Sequence, residues 1–283
     1  MITTHDDTNC LLGEGPLWHP ERGELLWFDI LARRLHARGR HWDFDTFASA
    51  AGWIDHDTLI VATARDFRLL TLSTGAQEHL APLEADTPQT RSNDGRIDPW
   101  GGFWIGTMGI RDQGPIGAIY RFHKGELRCL FPGIAIPNSI CFAPDGTTAY
   151  FCDTATQMIL RQRLDAQGWP AGEPELHIDL RGTPFWPDGS VVDAAGRLWN
   201  AQWGAARVAV YAPDGRELAA HPFPATQTTC PAFGGAGLAT LLVTSAAAGL
   251  DQAHVADHPA SGRTFALALA DGTRGQTEHR AIL

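Results

Sequence analysis

One pattern returns six times along the chain, and a repeat of its period leaves few architectures open. Each copy has a polar or Pro-containing start, an apolar stretch, a Gly or Asp turn, and then an aromatic-rich strand. The clearest copies are EGPLWHPERGELLWFDI from Glu14, SNDGRIDPWGGFWIGTM from Ser92, PNSICFAPDGTTAYFCDT from Pro137 and PDGSVVDAAGRLWNAQW from Pro187. Weaker copies begin at Ala51 and Cys230. The turns fall at Gly23, Asp57, Gly101, Gly146, Gly196 and Gly237. Their mean spacing of about 43 residues is that of a four-stranded propeller blade. Between the copies lie short alternating pieces such as RLLTLST, AIYRFHKG, ILRQRLD and RVAVYAPDG, which supply the third and fourth strands. The chain therefore reads as all-β: a six-bladed β-propeller of four-stranded antiparallel blades around a central channel, one domain over 1–283. Six evenly spaced similar units do not fit a single β-sandwich. Closure of the ring requires the ends to share a blade, and RTFALALADG near the C-terminus is the piece expected beside the N-terminal strands.

Composition narrows the partners. The 22 Lys and Arg against 32 Asp and Glu give a formal charge of −10, with no basic stripe. Nucleic acid and anionic membrane surfaces are therefore not expected partners. The five cysteines are scattered and form no CxxC, so neither a disulfide framework nor a zinc knuckle is expected. MITTHDDTNC has no basic segment leading into an apolar one, and no apolar run approaches the ~20 residues of a membrane span. A cytoplasmic monomer is the expectation.

The repeat also makes a prediction about chemistry. Residues at one register of successive blades lie at one height and face one way. Counting back from each turn picks out Glu14, Asn93, Asn138 and Asp188, with Cys230 nearby in the last blade and the small residues Ser49 and Ala50 in the second. If these strands are innermost, two carboxylates and two carboxamides converge at one mouth of the axis. Glu14, Asn138 and Asp188 form a hard oxygen-donor set suited to Ca²⁺, Mg²⁺ or Mn²⁺, and able to hold Zn²⁺ or Fe²⁺. Three protein ligands leave positions open for water and substrate. An isolated Asn or Asp next to Pro or Gly usually builds a turn, and Asp145 in the PDG at Pro144 is read that way. Glu14, held between two glycines, has no turn role.

These motifs together resemble the regucalcin/gluconolactonase family, also called the senescence marker protein family. The resemblance is carried by LGEGPLWHP at Leu12, RSNDGRIDPWGGFWIGTM at Arg91, PNSICFAPDG at Pro137, PDGSVVDAAGRLWNAQW at Pro187 and FGG at Phe233. The stretch after Pro187, with TTCPAFGG, is most similar to bacterial aldonolactonases such as xylonolactonase and arabinonolactonase. The resemblance implies a propeller with one divalent metal, whose ligands fall on Glu14, Asn138 and Asp188. It implies substrate contacts at Arg91 and Asn93, and hydrolysis of a sugar-acid lactone. The family's substrate-holding Glu after the GTM motif has no counterpart in GIRDQGPIGAIYR, which leaves Arg111, Asp112 and Gln113 as candidates.

On this reading the metal polarises the lactone carbonyl. Asp188 is either the general base for the attacking water or a metal ligand alone. Arg91 offers a planar fork to ring or hydroxyl oxygens, with pairing to Asp94 as its alternative. Trp186 and Trp203 are expected to pack between blades, a place in the pocket wall being the other option. His254 and His258 lie in a segment read as exposed loop, and Cys230 lacks a base that would make it a nucleophile. No GxSxG, P-loop or complete GxGxxG occurs. Two other functions fit the same ligands: a calcium-binding or regulatory propeller without turnover, and a metal-dependent ester or phosphotriester hydrolase.

Overall fold

The computed structural model describes residues 1–111, 113–269 and 272–283, the side chains of Gln252, His254 and Val255 excepted. The described strands form six four-stranded antiparallel sheets. Five sheets are consecutive meanders; the sixth takes three strands from the C-terminal end and its outermost strand, Ile2–Asp6, from the N-terminus. That strand pairs with Thr264–Ala268, with Ile2 opposite Leu267, so this part of the C-terminal segment closes the ring as its pattern predicts. The first strand of each sheet packs against the first strand of the next, around to the start, so these six line the axis. They are Gly13–His19, Ala48–Trp53, Thr90–Ile97, Pro137–Phe142, Trp186–Val192 and Gln227–Gly234. All six repeat turns lie between the first and second strands of their blades.

The apolar core is divided among the wedges between neighbouring blades. Leu17, Phe28 and Leu35 of blade 1 pack on Leu59, Val61 and Leu70 of blade 2. Trp199 and Val210 of blade 5 meet Phe233 and Phe265 of blade 6, and Trp27 of blade 1 meets Leu242 of blade 6. Burying one such side chain contributes ~1.5–3 kcal/mol. Because adjacent blades use their flat faces for this burial, the axis itself is left to polar residues. Two tryptophans also fix turns. Asp98 accepts Trp104 Nε1 on one oxygen and the Trp100 and Gly102 amides on the other. Asp193 repeats the device with Trp199 Nε1 and the Ala195 and Arg197 amides. Asp145 likewise caps its own turn, accepting from the amide and hydroxyl of Thr147.

The segment read as loop around His254 contains a short helix, Gln252–Asp257, and the side chain of His254 lies outside the described residues. The last residues of the chain cross the end of the axis opposite the polar cluster. Gln276 donates to the carbonyls of Phe142 and Val192, Glu278 pairs with Arg96, and the Ile282 amide donates to Gly101. No helix among the described residues is long and apolar enough to cross a membrane.

Candidate active site

Each axial strand is irregular at the same height. Its register to the second strand shifts between Glu14 and Leu17, Ala48 and Ala50, Ser92 and Gly95, Asn138 and Cys141, Pro187 and Ser190, and Thr228 and Pro231. An extra residue in one strand bends it, strengthens its twist and re-aims a side chain. The bulges therefore aim Glu14, Asn93, Asn138 and Asp188 into the channel. Two of them use a left-handed backbone, at Gly15 (φ 51°) and at the non-glycine Ser139 (φ 59°). A side chain at Gly15 would meet the Ser49 carbonyl oxygen at 2.1 Å. The sequence pattern found the register but not the bulge. Glycines inside strands, Gly15, Gly95 and Gly189, were its available signal.

The structure brings together the five residues expected to hold the metal and the substrate. Glu14, Arg91, Asn93, Asn138 and Asp188 line one cavity of about 230 Å³, with Thr154, Leu12, Met108, Ile136 and Trp203. Trp203 thus belongs to the cavity wall and not to an interface between blades. Trp186, opposite it in the strand pair, stands 42% exposed. Both depart from the expected packing because they start or end strands at the open mouth, beyond the reach of the neighbouring blade. Arg111 and Gln113 line an adjoining recess, and Asp112 lies outside the described residues.

The polar groups are held by a directional chain. Arg91 Nη1 donates to Asn93 Oδ1 at 2.9 Å. Asn93 Nδ2 donates to Pro137 O at 3.0 Å and to Asn138 Oδ1 at 3.2 Å. Asn138 Nδ2 donates to Thr154 Oγ1 at 2.9 Å, and that hydroxyl donates to Pro187 O at 2.7 Å. This network assigns the amide orientations and leaves Asn138 Oδ1 with a free lone pair. Arg91 makes no ion pair with Asp94. Asp94 turns below the cavity instead and accepts the Ile140 amide at 2.7 Å.

Asp188 is fixed through its main chain. Its carbonyl accepts from Ser139 Oγ at 2.6 Å and Asn200 Nδ2 at 3.1 Å. Asn200 and Ser139 are fully buried. Sequence reading missed both, and offered Asp94 only as a pairing partner for Arg91, because a network beneath a bulge has no periodic signature.

Burial shapes the electrostatics. Glu14 is pushed up to about 8, chiefly by desolvation and then by Asp94. Asp188 is raised well above the carboxylate range by desolvation and by Glu14. Asp94 rises to about 6 by burial. Arg91 is lowered by desolvation to about 10, so it stays charged at neutral pH, and Glu14 and Asp188 hold it up. Two crowded buried acids of this kind favour a bound cation over a shared proton. No group of three or more His, Cys, Asp and Glu forms a metal cluster among the described residues. The donor set is instead two carboxylates and a carboxamide, all hard oxygens, and it fits one divalent cation with open positions. All five cysteines are free thiols. Cys230 is buried and its thiol is raised by desolvation, the opposite of an activated nucleophile.

Residues 12–247 match the model of the SMP-30/Gluconolactonase/LRE-like region. A solved structure from Agrobacterium tumefaciens, described as a calcium-binding protein, regucalcin, is 42% identical and superposes with a TM-score of 0.96, covering 99% of this chain and 97% of its own. An L-arabinolactonase from Azospirillum brasilense is 37% identical over 92% of this chain and 89% of its own length. A 6-deoxy-6-sulfogluconolactonase from Pseudomonas putida is 34% identical over 90% of each. The chain belongs to the SMP-30/gluconolactonase/LRE-like family.

Proposed function

We propose that the chain is a carboxylic-ester hydrolase that opens a sugar-acid lactone to its aldonate, with one divalent cation held by Glu14, Asn138 and Asp188. The observation that carries this reading is the convergence of three hard oxygen ligands and a charged Arg91 on one small open cavity. The lactonase names of the Azospirillum and Pseudomonas relatives support the same reaction. When bound, the cation supplies Lewis-acid polarisation of the lactone carbonyl.

The chain's own residues do the rest. Arg91 orients the lactone by donating from Nε and Nη2 to ring or hydroxyl oxygens. Asn93 accepts from Nη1 of that guanidinium and so holds it in place beside the substrate. A carboxylate oxygen of Asp188, buried at the cavity floor, takes a proton from the attacking water. The Ser139 and Asn200 hydrogen bonds hold the Asp188 backbone still during that transfer. The cavity's apolar walls keep bulk water from the reacting carbonyl. We read the protein as a cytoplasmic monomer whose buried thiols stay reduced.

A second reading, a cation-binding propeller without turnover, is favoured by the description of the Agrobacterium relative. Arg91 beside the ligand set counts against it, since a structural ion needs no free guanidinium facing an open cavity.

The test is lactone hydrolysis followed by pH drop, with and without chelator, in wild type and Asp188→Ala. Chelator-sensitive turnover that falls by about 10²–10⁴ in the variant is expected from loss of the base. A folded protein with no turnover under any divalent cation leaves the cation-binding reading in front.

A further inference from the structure

The cavity's spare hydrogen-bonding groups sit on one side. Both amide hydrogens of Asn93 are spent on Pro137 O and Asn138 Oδ1. Thr154 spends its hydroxyl hydrogen on Pro187 O. Nη1 of Arg91 is engaged by Ser92 O and Asn93 Oδ1. Among the described residues, Arg91 Nε and Nη2 have no partner within the protein. The donors left for a substrate are thus these two, one hydrogen of Asn138 and the Trp203 indole N–H, and the first three lie beside the proposed cation ligands. The remaining walls are Leu12, Met108, Ile136 and Trp203, none of which accepts or donates except the Trp203 indole N–H. Past Met108 and Ile136 the cavity adjoins a recess of about 460 Å³, where Ile110, Pro115, Ala135 and Ala155 continue the apolar surface and the solvent-exposed Arg111 and Gln113 also form part of the lining. Gln113 Oε1 is occupied by the Arg111 amide.

From this one-sided polarity we propose that the site reads the lactone group and not the hydroxyl pattern of the ring, so that its substrate class extends from aldonolactones to deoxy and alkyl-substituted γ- and δ-lactones. The proposal rests on the lactonase reading above. The carbonyl and ring oxygen face the polar side, where the spare donors are. Ring C–H and C–C surface lies against the four apolar walls, and substituents point to the mouth or the recess. Hydroxyls there keep their water and contribute little to selection. An apolar pocket discriminates weakly between a ligand and its analogue with one more or fewer group, by about 10–200-fold, whereas a pocket built to bond a hydroxyl rejects the analogue lacking it by ~10⁴ or more. The chemistry is the same for every member of the class. A bond forms between a water oxygen and the carbonyl carbon, the ring C–O bond breaks, and the ring oxygen takes up a proton to become a hydroxyl. The carboxylic acid formed then ionises and releases the proton that an indicator reads.

The experiment compares kcat/KM of the full chain, loaded with a divalent cation, on D-xylono-1,4-lactone, L-arabinono-1,4-lactone, 2-deoxy-D-ribono-1,4-lactone and γ-valerolactone, after subtracting spontaneous opening. All four are expected within about 30-fold of one another, as for a pocket without hydroxyl contacts. A larger preference for the fully hydroxylated pair, or for one of its two stereochemistries, overturns this proposal and leaves the lactonase reading standing. Turnover of none of the four overturns the lactonase reading itself, and this proposal with it.

Discussion

Glu14 and Asp188 have the most to gain from a cation, and that gain has a pH signature. A glutamate ordinarily ionises near 4.5, while Glu14 in the folded cation-free protein keeps its proton to about 8. Between those values the unfolded chain has lost a proton that the folded chain retains, so stability falls as pH rises. Asp188, raised by the same burial, adds a slope of the same sign. Chelated protein is therefore expected to melt at a lower temperature at pH 8 than at pH 5. A cation must displace those protons, so its stabilisation grows over the same interval. At about 100 times its dissociation constant it adds ~2.7 kcal/mol, a rise of roughly 5 °C or more at pH 8. Scanning calorimetry at both pH values checks this, and a cation-induced rise larger at pH 5 would contradict it. The convergence of Glu14, Asn138 and Asp188 was legible in the sequence because blade repetition converts spacing into height. Asp94, Ser139 and Asn200 were not, because their roles depend on which main-chain atoms a neighbouring blade brings beneath the bulge.

At the scale of the strand, the bulges do what regular pairing does not. A regular strand alternates its side chains between the two faces of its blade, and both faces here are covered by neighbouring blades. Only an irregular residue turns its side chain along the channel. Gly15 is the tightest of these, with a left-handed backbone and the Ser49 carbonyl where a Cβ would stand. Gly15→Ala is expected to cost about 3 kcal/mol in urea denaturation, through backbone strain and overpacking together. It is also expected to lower lactone turnover, because relaxing the clash moves Glu14. Unchanged stability would mean that the strand slips into a regular register without loss. The turn residues were readable from composition, as Asp145 and the repeat glycines illustrate. Trp203 was not, because whether a tryptophan faces a wedge or a cavity depends on how far the next blade extends.

Seen whole, the ring is held by two long-range closures. One is the tail crossing the end of the axis away from the candidate site, where Glu278 pairs with Arg96, the two side chains being only 10% and 12% exposed. Removing one partner of a buried pair strands the other charge, at roughly 3–5 kcal/mol. Glu278→Ala should lose about that much stability and leave KM for the lactone nearly unchanged, since the cavity lies at the other mouth. A selective rise in KM would instead link the two ends. The second closure joins Ile2–Asp6 to Thr264–Ala268. It imposes an order on biosynthesis. At roughly 5–20 residues per second, the first strand leaves the ribosome some 13–50 seconds before its partner is made. Throughout that interval the nascent chain carries an unmated strand and an open ring of finished blades. Emergence of Thr264–Ala268, more than the formation of any single blade, sets the moment at which that strand edge is covered and its tendency to stick to neighbours ends.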